Sequence, residues 1–204
     1  MTAVSAASSQ QQTLDYYNTN AGKFVASTAN VEFGQLQGEF ARRLPEGGCI
    51  LDLGCGSGRD SLAFTNAGFA VVPVDGSQEM CAATRELTGL EVTHATFQEY
   101  EPQGQFDGIW ACSSLLHVPL PELPDVVAKY ARALRPGGTF YLSFKLGNFQ
   151  GMRNGRWFTD LTEREFRQLI GQIPELRVDS IGITADVRPG RGDEQWLNAW
   201  CVRV

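Results

Sequence analysis

One stretch constrains the fold more than any other: Cys49-Ile50-Leu51-Asp52-Leu53-Gly54-Cys55-Gly56-Ser57-Gly58-Arg59-Asp60. A short apolar run, a glycine-rich turn and a helix start follow one another directly. This is the strand–turn–helix unit of an open α/β sheet, found where a nucleotide-like ligand lies against backbone. Gly54, Gly56 and Gly58 carry no Cβ, so the main chain can approach a ligand closely and turn through positive φ. The dinucleotide fingerprint places its last glycine at the sixth position of the turn, which here holds Arg59. Asp60 adds negative charge where a pyrophosphate would need a free helix N-terminus. The turn therefore suits a ligand without phosphate. An acid, Asp75, stands about 20 residues downstream after the apolar run 69–74, where such folds bind ribose hydroxyls.

The run Leu51-Asp52-Leu53-Gly54-Cys55-Gly56-Ser57-Gly58 followed by Asp75 closely resembles the class I S-adenosylmethionine-dependent methyltransferases. The resemblance implies cofactor contacts at Gly54, Cys55, Gly56, Ser57 and Arg59, at the ribose acid Asp75 with Gly76 and Ser77, and at Ala111 and Leu116 beyond the fourth strand. Met80 is either a soft wall for the adenine or helix core. Where the family usually has an acid followed by an apolar residue at the end of its third strand, this chain has Thr96-Phe97-Gln98. Phe97 or Gln98 must then serve the adenine by ring packing, backbone contact or the amide. Arg135-Pro136-Gly137-Gly138 again resembles the family's turn, so the likeness spans residues 48–145. Gly56-Ser57-Gly58-Arg59-Asp60-Ser61 and Ser114-Leu115-Leu116-His117-Val118-Pro119 look most like bacterial small-molecule methyltransferases related to tellurite-resistance methyltransferases. A Rossmann-like oxidoreductase, or a glycine turn that holds nothing, is the competing reading of the turn alone.

The expected fold is α/β, a Rossmann-like seven-stranded doubly wound sheet, mostly parallel with an antiparallel C-terminal strand. Residues 1–204 are read as a single methyltransferase domain. Residues 1–12, rich in Ser and Gln, are expected as a loose tail; 13–47 as helices covering the cofactor; and 48–204 as the sheet core with substrate loops at 146–160 and 186–193. Leu14, Tyr17, Ala21 and Phe24 fall at helical spacing, and Phe33, Leu36, Phe40 and Leu44 mark a second helix that Pro45 stops. Strands are expected at 90–97, 106–112, 139–144, 176–185 and 194–204, and a capping box at Thr162 and Glu165 opens a late helix.

A net charge of -6, with both signs interspersed, gives no electrostatic footprint for nucleic acid or anionic membrane. Five cysteines without a C-x-x-C pair suggest reduced thiols and a cytoplasmic protein, with no metal site, and no apolar run approaches membrane-spanning length. Methyl transfer is an in-line displacement, so most of its catalysis is positioning, and a base is needed only when the acceptor carries a proton. His117, just past the fourth strand, is the candidate base, with a purely structural imidazole as the competing role; His94 reads as structural. Candidate substrate residues are Tyr16 and Tyr17, because the family's N-terminal segment often folds over the cofactor, together with Arg156, Trp157 and Arg188. Arginine beside an aromatic suits a small anionic or planar acceptor. The alternatives are packing roles for the two tyrosines, sheet-edge packing for Trp157 and solvated arginines. A small-molecule acceptor is expected. An RNA or protein methyltransferase working with a partner, and a non-catalytic S-adenosylmethionine-binding module, remain open.

Overall fold

The near-continuous apolar run Cys49–Leu53 (β1) becomes the central strand because it is buried on both faces. Its side chains alternate between two cores: Leu51 and Leu53 join the larger cluster, while Ile50 joins Phe40, Phe64, Trp110, Tyr141 and Trp200. The computed structural model describes residues 6–29, 31–188 and 190–204. Helices α1 (Ala6–Thr28) and α2 (Gly34–Ala41) precede β1, and α3 (Arg59–Asn66), β2 (Ala70–Asp75), α4 (Gln78–Thr88), β3 (Thr93–His94), β4 (Phe106–Ala111), α5 (Leu123–Ala133) and β5 (Leu134–Lys145) follow it. A hairpin of β6 (Gln150–Arg153) and β7 (Arg156–Thr159), then α6 (Glu163–Ile170), β8 (Leu176–Ala185) and β9 (Gln195–Arg203) complete the chain.

The main sheet has seven strands in the order β3-β2-β1-β4-β5-β9-β8, parallel except for β9, which runs antiparallel to both neighbours. This is the expected doubly wound sheet. The strand order reverses between β1 and β4, and that switch point opens a crevice at their carboxyl ends. On one face, α5 and α6 cover Phe140, Leu142 and Phe144; on the other, Phe40 and Phe64 from α2 and α3 pack on Trp110, which stacks on Tyr141 at 4.0 Å. Among the described residues no helix is long and apolar enough to cross a membrane.

Three expectations need correction. Helix α1 begins at Ala6, so 6–12 are not a loose tail; residues 1–5 lie outside the described residues. The polar stretch is held by specific partners: Thr13 Oγ1 donates to the Ser9 carbonyl, and Gln10 Nε2 donates to Gln98 Oε1. The strand expected over 90–97 shrinks to Thr93–His94 at the sheet edge, because after Ala95 the chain turns away into a local network in which Glu99 accepts from the Thr96 amide and hydroxyl. The segment 146–160 is not an irregular loop. Asn154 (φ 51) and Gly155 (φ 80) form a two-residue turn that joins β6 to β7 in register.

Candidate functional site

At the switch point the turn leaves no room for a side chain at Gly54. Gly54 has φ 83, and a Cβ there would lie 2.4 Å from Ser114 Cβ. The amides of Gly54 and Cys55 both donate to the Val74 carbonyl, at 2.8 and 3.0 Å, pinning the turn to the end of β2. Asp75 closes that strand and accepts from Gly56 N at 2.9 Å and from Ser77 N at 2.8 Å. Burial pushes its carboxyl above the ordinary value, while the Ser77 and Gly56 amides pull it back. Each oxygen keeps a lone pair for a ligand hydroxyl.

Asp60 does not compete with a ligand, because its charge is used internally. Arg59 grips it bidentately at 2.7 and 2.8 Å, and Trp110 Nε1 and Gln37 Nε2 also donate to it. The Arg59 guanidinium in turn lies 4.2 Å from the Phe33 ring centroid. Asp52, beneath the turn, accepts from Ser61 Oγ at 2.5 Å, and burial together with the nearby Asp60 charge raises its carboxyl.

Above the turn lies a cavity of about 740 Å³. Its roof is α1, through Leu14, Tyr17 and Phe24; Asp75, Met80 and Phe97 wall one end, and Lys145, Arg188 and Trp196 the other. Of the residues singled out from the sequence, Gly54, Cys55, Gly56, Ser57, Arg59, Asp75, Gly76, Met80, Phe97, Gln98, Leu116, His117, Tyr17, Arg156 and Arg188 line this cavity. Ser77 does not: it caps α4 by accepting from Met80 N, and its hydroxyl donates to Asn18. Ala111 is buried in β4 below the cavity floor. Strand alternation removes Trp157, because Arg156 and Phe158 face the cavity and the indole between them turns away to donate to Thr159 Oγ1. Tyr16 lies outside the cavity lining and stands behind Arg156, its ring centroid 4.4 Å from the guanidinium carbon.

Two nitrogen contacts define the state of His117. The Trp157 carbonyl can only accept, so Nδ1 carries the proton it receives at 2.5 Å; Nε2 then accepts from the Tyr17 hydroxyl at 2.8 Å. Burial pushes the imidazole down to about 4, opposed by the Trp157 carbonyl and reinforced by Arg156. Burial also raises the Tyr17 phenol. The pair is neutral and internally satisfied.

Sequence reasoning passed over several lining residues. Lys145 ends β5 at the sheet's carboxyl edge, a position that signals ligand contact. Gln10 and Thr13 were assigned to a tail and a helix start, and Ser114 sits in the quoted run after β4, its buried Oγ without a hydrogen-bond partner among the described residues. No sequence signal marks Asp186, which holds Arg188 through two bonds at 2.9 and 2.5 Å.

A seven-stranded sheet in this order, with a close-packed glycine turn at its switch point and an acid ending the next strand, is the fold of the class I S-adenosylmethionine-dependent methyltransferases. Residues 50–138 match the family model described as a methyltransferase domain. Among curated proteins, the ubiquinone biosynthesis O-methyltransferase of Aromatoleum aromaticum is 32% identical over 108 residues, 50% of this chain and 45% of that protein. The chain thus spans less than half the length of the curated relatives it matches. Among solved structures, the Burkholderia thailandensis 1,6-didemethyltoxoflavin-N1-methyltransferase, with 1,6-didemethyltoxoflavin and S-adenosylhomocysteine bound, superposes with a TM-score of 0.77 at 20% identity, covering 100% of this chain and 92% of that one. TehB from Haemophilus influenzae superposes with a TM-score of 0.66 at 16% identity, covering 93% and 66%. These two likenesses are of fold.

Proposed function

We propose that this protein transfers the methyl group of S-adenosylmethionine to a small-molecule acceptor. The observation that carries the reading is Asp75, fixed by two backbone amides beside a glycine turn with no room for a Cβ at Gly54, and opening into a cavity that continues past the switch point. The residues fit the cofactor. Asp75 offers two oxygens to a ribose diol, Met80 and Phe97 offer an apolar slot for the adenine, and the unpartnered Ser114 Oγ offers a polar contact beside Gly54. Bound there, S-adenosylmethionine supplies a methyl group activated on a sulfonium. The protein's own part is positioning: α1 roofs the cavity and excludes water, and the turn after β4 brings Leu116 and His117 to the boundary between the two ends.

The roof favours a small acceptor over a macromolecule, since Tyr17 and Thr13 are bonded down to His117 and Trp157 across the space a nucleic acid or peptide would have to enter. The names of two relatives point the same way, one a ubiquinone biosynthesis O-methyltransferase and the other a 1,6-didemethyltoxoflavin-N1-methyltransferase. Five free thiols suit a reducing compartment, and we read the protein as cytoplasmic. The test is methyl-labelled S-adenosylmethionine incubated with the protein and a cell extract fractionated into small molecules, RNA and protein, with Asp75→Ala as control. Label in the small-molecule fraction that disappears with Asp75→Ala is the expected result. Label in RNA or protein would refute the small-molecule reading, and none in any fraction would refute transfer.

A further inference from the structure

Where the two ends of the cavity meet, beside Tyr17 and His117, lies a cation that the protein does not neutralise. Lys145 pairs with Glu194, and Arg188 with Asp186. Arg156 has no carboxylate partner among the described residues. Its guanidinium carbon sits 4.4, 5.1 and 5.6 Å from the ring centroids of Tyr16, Phe158 and Tyr17, and one terminal nitrogen donates to Tyr17 at 3.4 Å. Its Nε is buried and meets no acceptor. A partly desolvated guanidinium with an unused N–H is costly unless a ligand supplies the anion.

Neither His117 nor Asp186 is free to take up a proton there. Both His117 nitrogens are engaged, since Nδ1–H donates to the Trp157 carbonyl and Nε2 accepts from the Tyr17 hydroxyl. Protonating the imidazole would expel that hydrogen bond and place a second cation near Arg156. The Asp186 carboxylate is occupied by Arg188 and by Trp196 Nε1; burial works against its charge, yet these donors hold it well below the usual carboxylate range. Phe24, Phe158 and Trp196 put aromatic surface on the space, among polar lining residues that include Glu32, Ser143, Thr184 and Asn198.

We propose that the methyl acceptor is a small aromatic organic acid that binds already ionised, its anionic atom held by Arg156 and its ring against Phe158 and Trp196. This rests on reading the cavity as a methyl-transfer site. The acceptor's lone pair forms the new bond to the methyl carbon, and the carbon–sulfur bond breaks with its electrons passing to sulfur. Acceptor anion and sulfonium both become neutral, and no proton is released. Methylation also removes the charge that Arg156 holds, which favours product release. A compact inorganic oxyanion would satisfy the guanidinium but leave the aromatic walls uncovered.

The test uses 4-nitrophenol, whose ionised form absorbs visible light, titrated across pH in the presence of protein saturated with S-adenosylhomocysteine. The expected result is that the phenolate binds at least about tenfold tighter than the phenol, so that the bound probe titrates at least about one pH unit below the free probe. Arg156→Gln removes this preference, Arg156→Lys keeps part of it, and calorimetry shows S-adenosylhomocysteine affinity within about twofold of wild type in both, since Arg156 touches Tyr16, Tyr17 and Phe158 rather than the ribose site. Preferential binding of the phenol, no binding of either form, displacement of the phenolate by equimolar selenite, or an equal loss of S-adenosylhomocysteine affinity in Arg156→Gln would each overturn the proposal; the last would make Arg156 a partner of the cofactor carboxylate. Failure of the wild-type protein to bind S-adenosylhomocysteine at all would instead overturn the methyl-transfer reading.

Discussion

His117 illustrates how neighbours decide what a residue can do. An imidazole at the end of a strand beside a reaction site invites the role of base, but its Nδ1–H is spent on the Trp157 carbonyl and its Nε2 lone pair on Tyr17. In the folded protein it gains a proton only near about 4, whereas the ordinary value is 6.5. Between those two pH values the unfolded chain binds more protons than the folded one, so stability falls as pH drops through that window. We therefore expect the melting temperature of the wild type to decline between pH 6.5 and 4 more steeply than that of His117→Gln. In the wild type the His117 Cε1 proton resonance should stay flat above about pH 5. A titration of that resonance centred at 6.5 would show an accessible, basic imidazole and return His117 to the role of candidate base. Asp75 is the counter-example: its amide partners leave lone pairs free, so its local geometry advertises a ligand rather than concealing one.

The β6–β7 hairpin carries Arg156 to the cavity, and its geometry rests on two turn residues. Gly155 has φ 80, and an added Cβ would lie 3.2 Å from the Tyr16 ring. Gly155→Ala should cost about 1–2 kcal/mol from the strained φ and the contact, lowering the melting temperature by about 2–4 °C for each kcal/mol. Because Arg156 is the next residue, the acceptor KM should rise while S-adenosylhomocysteine affinity is unchanged; thermal melts and calorimetry check both, and a fall in cofactor affinity alone would misplace the hairpin's role. The hairpin was readable in principle, since Asn154-Gly155 is the strongest short-range turn signal. Its flanks hide the strand alternation, because Arg153 and Arg156 look like solvated loop residues until Phe149, Phe158 and Tyr16 are seen beneath their guanidiniums. The glycine turn and Asp75 were legible because their chemistry is local: a strand, a positive-φ turn and an acid at fixed spacing. The polar start of α1 was not, because what orders it is remote in sequence, with Gln10 reaching Gln98 and Thr13 reaching Trp157.

At the scale of the molecule, the sheet and the roof differ in what holds them. β1, β4 and β5 are buried on both faces by large apolar clusters, whereas α1 is anchored by isolated polar contacts to Gln98, Trp157, His117 and Ser77. Elements tied by few apolar contacts open at lower free energy than the core. The helix also departs from helical geometry at Asn20 (φ -111), between the tyrosines and Phe24, which provides a place for it to bend. α1 lines the cavity through Leu14, Tyr17 and Phe24, so a bound ligand touches the roof, and we expect binding and α1 order to be linked. S-adenosylhomocysteine at about a hundred times its Kd should add about 2.7 kcal/mol of stability. Hydrogen exchange should then slow more in the α1 amides than the global gain accounts for, because the ligand closes a local opening as well as opposing unfolding. Equal slowing in α1 and β4 would mean that the roof opens only when the whole sheet does, and that ligand entry follows another path, between the hairpin and the loop that carries Arg188.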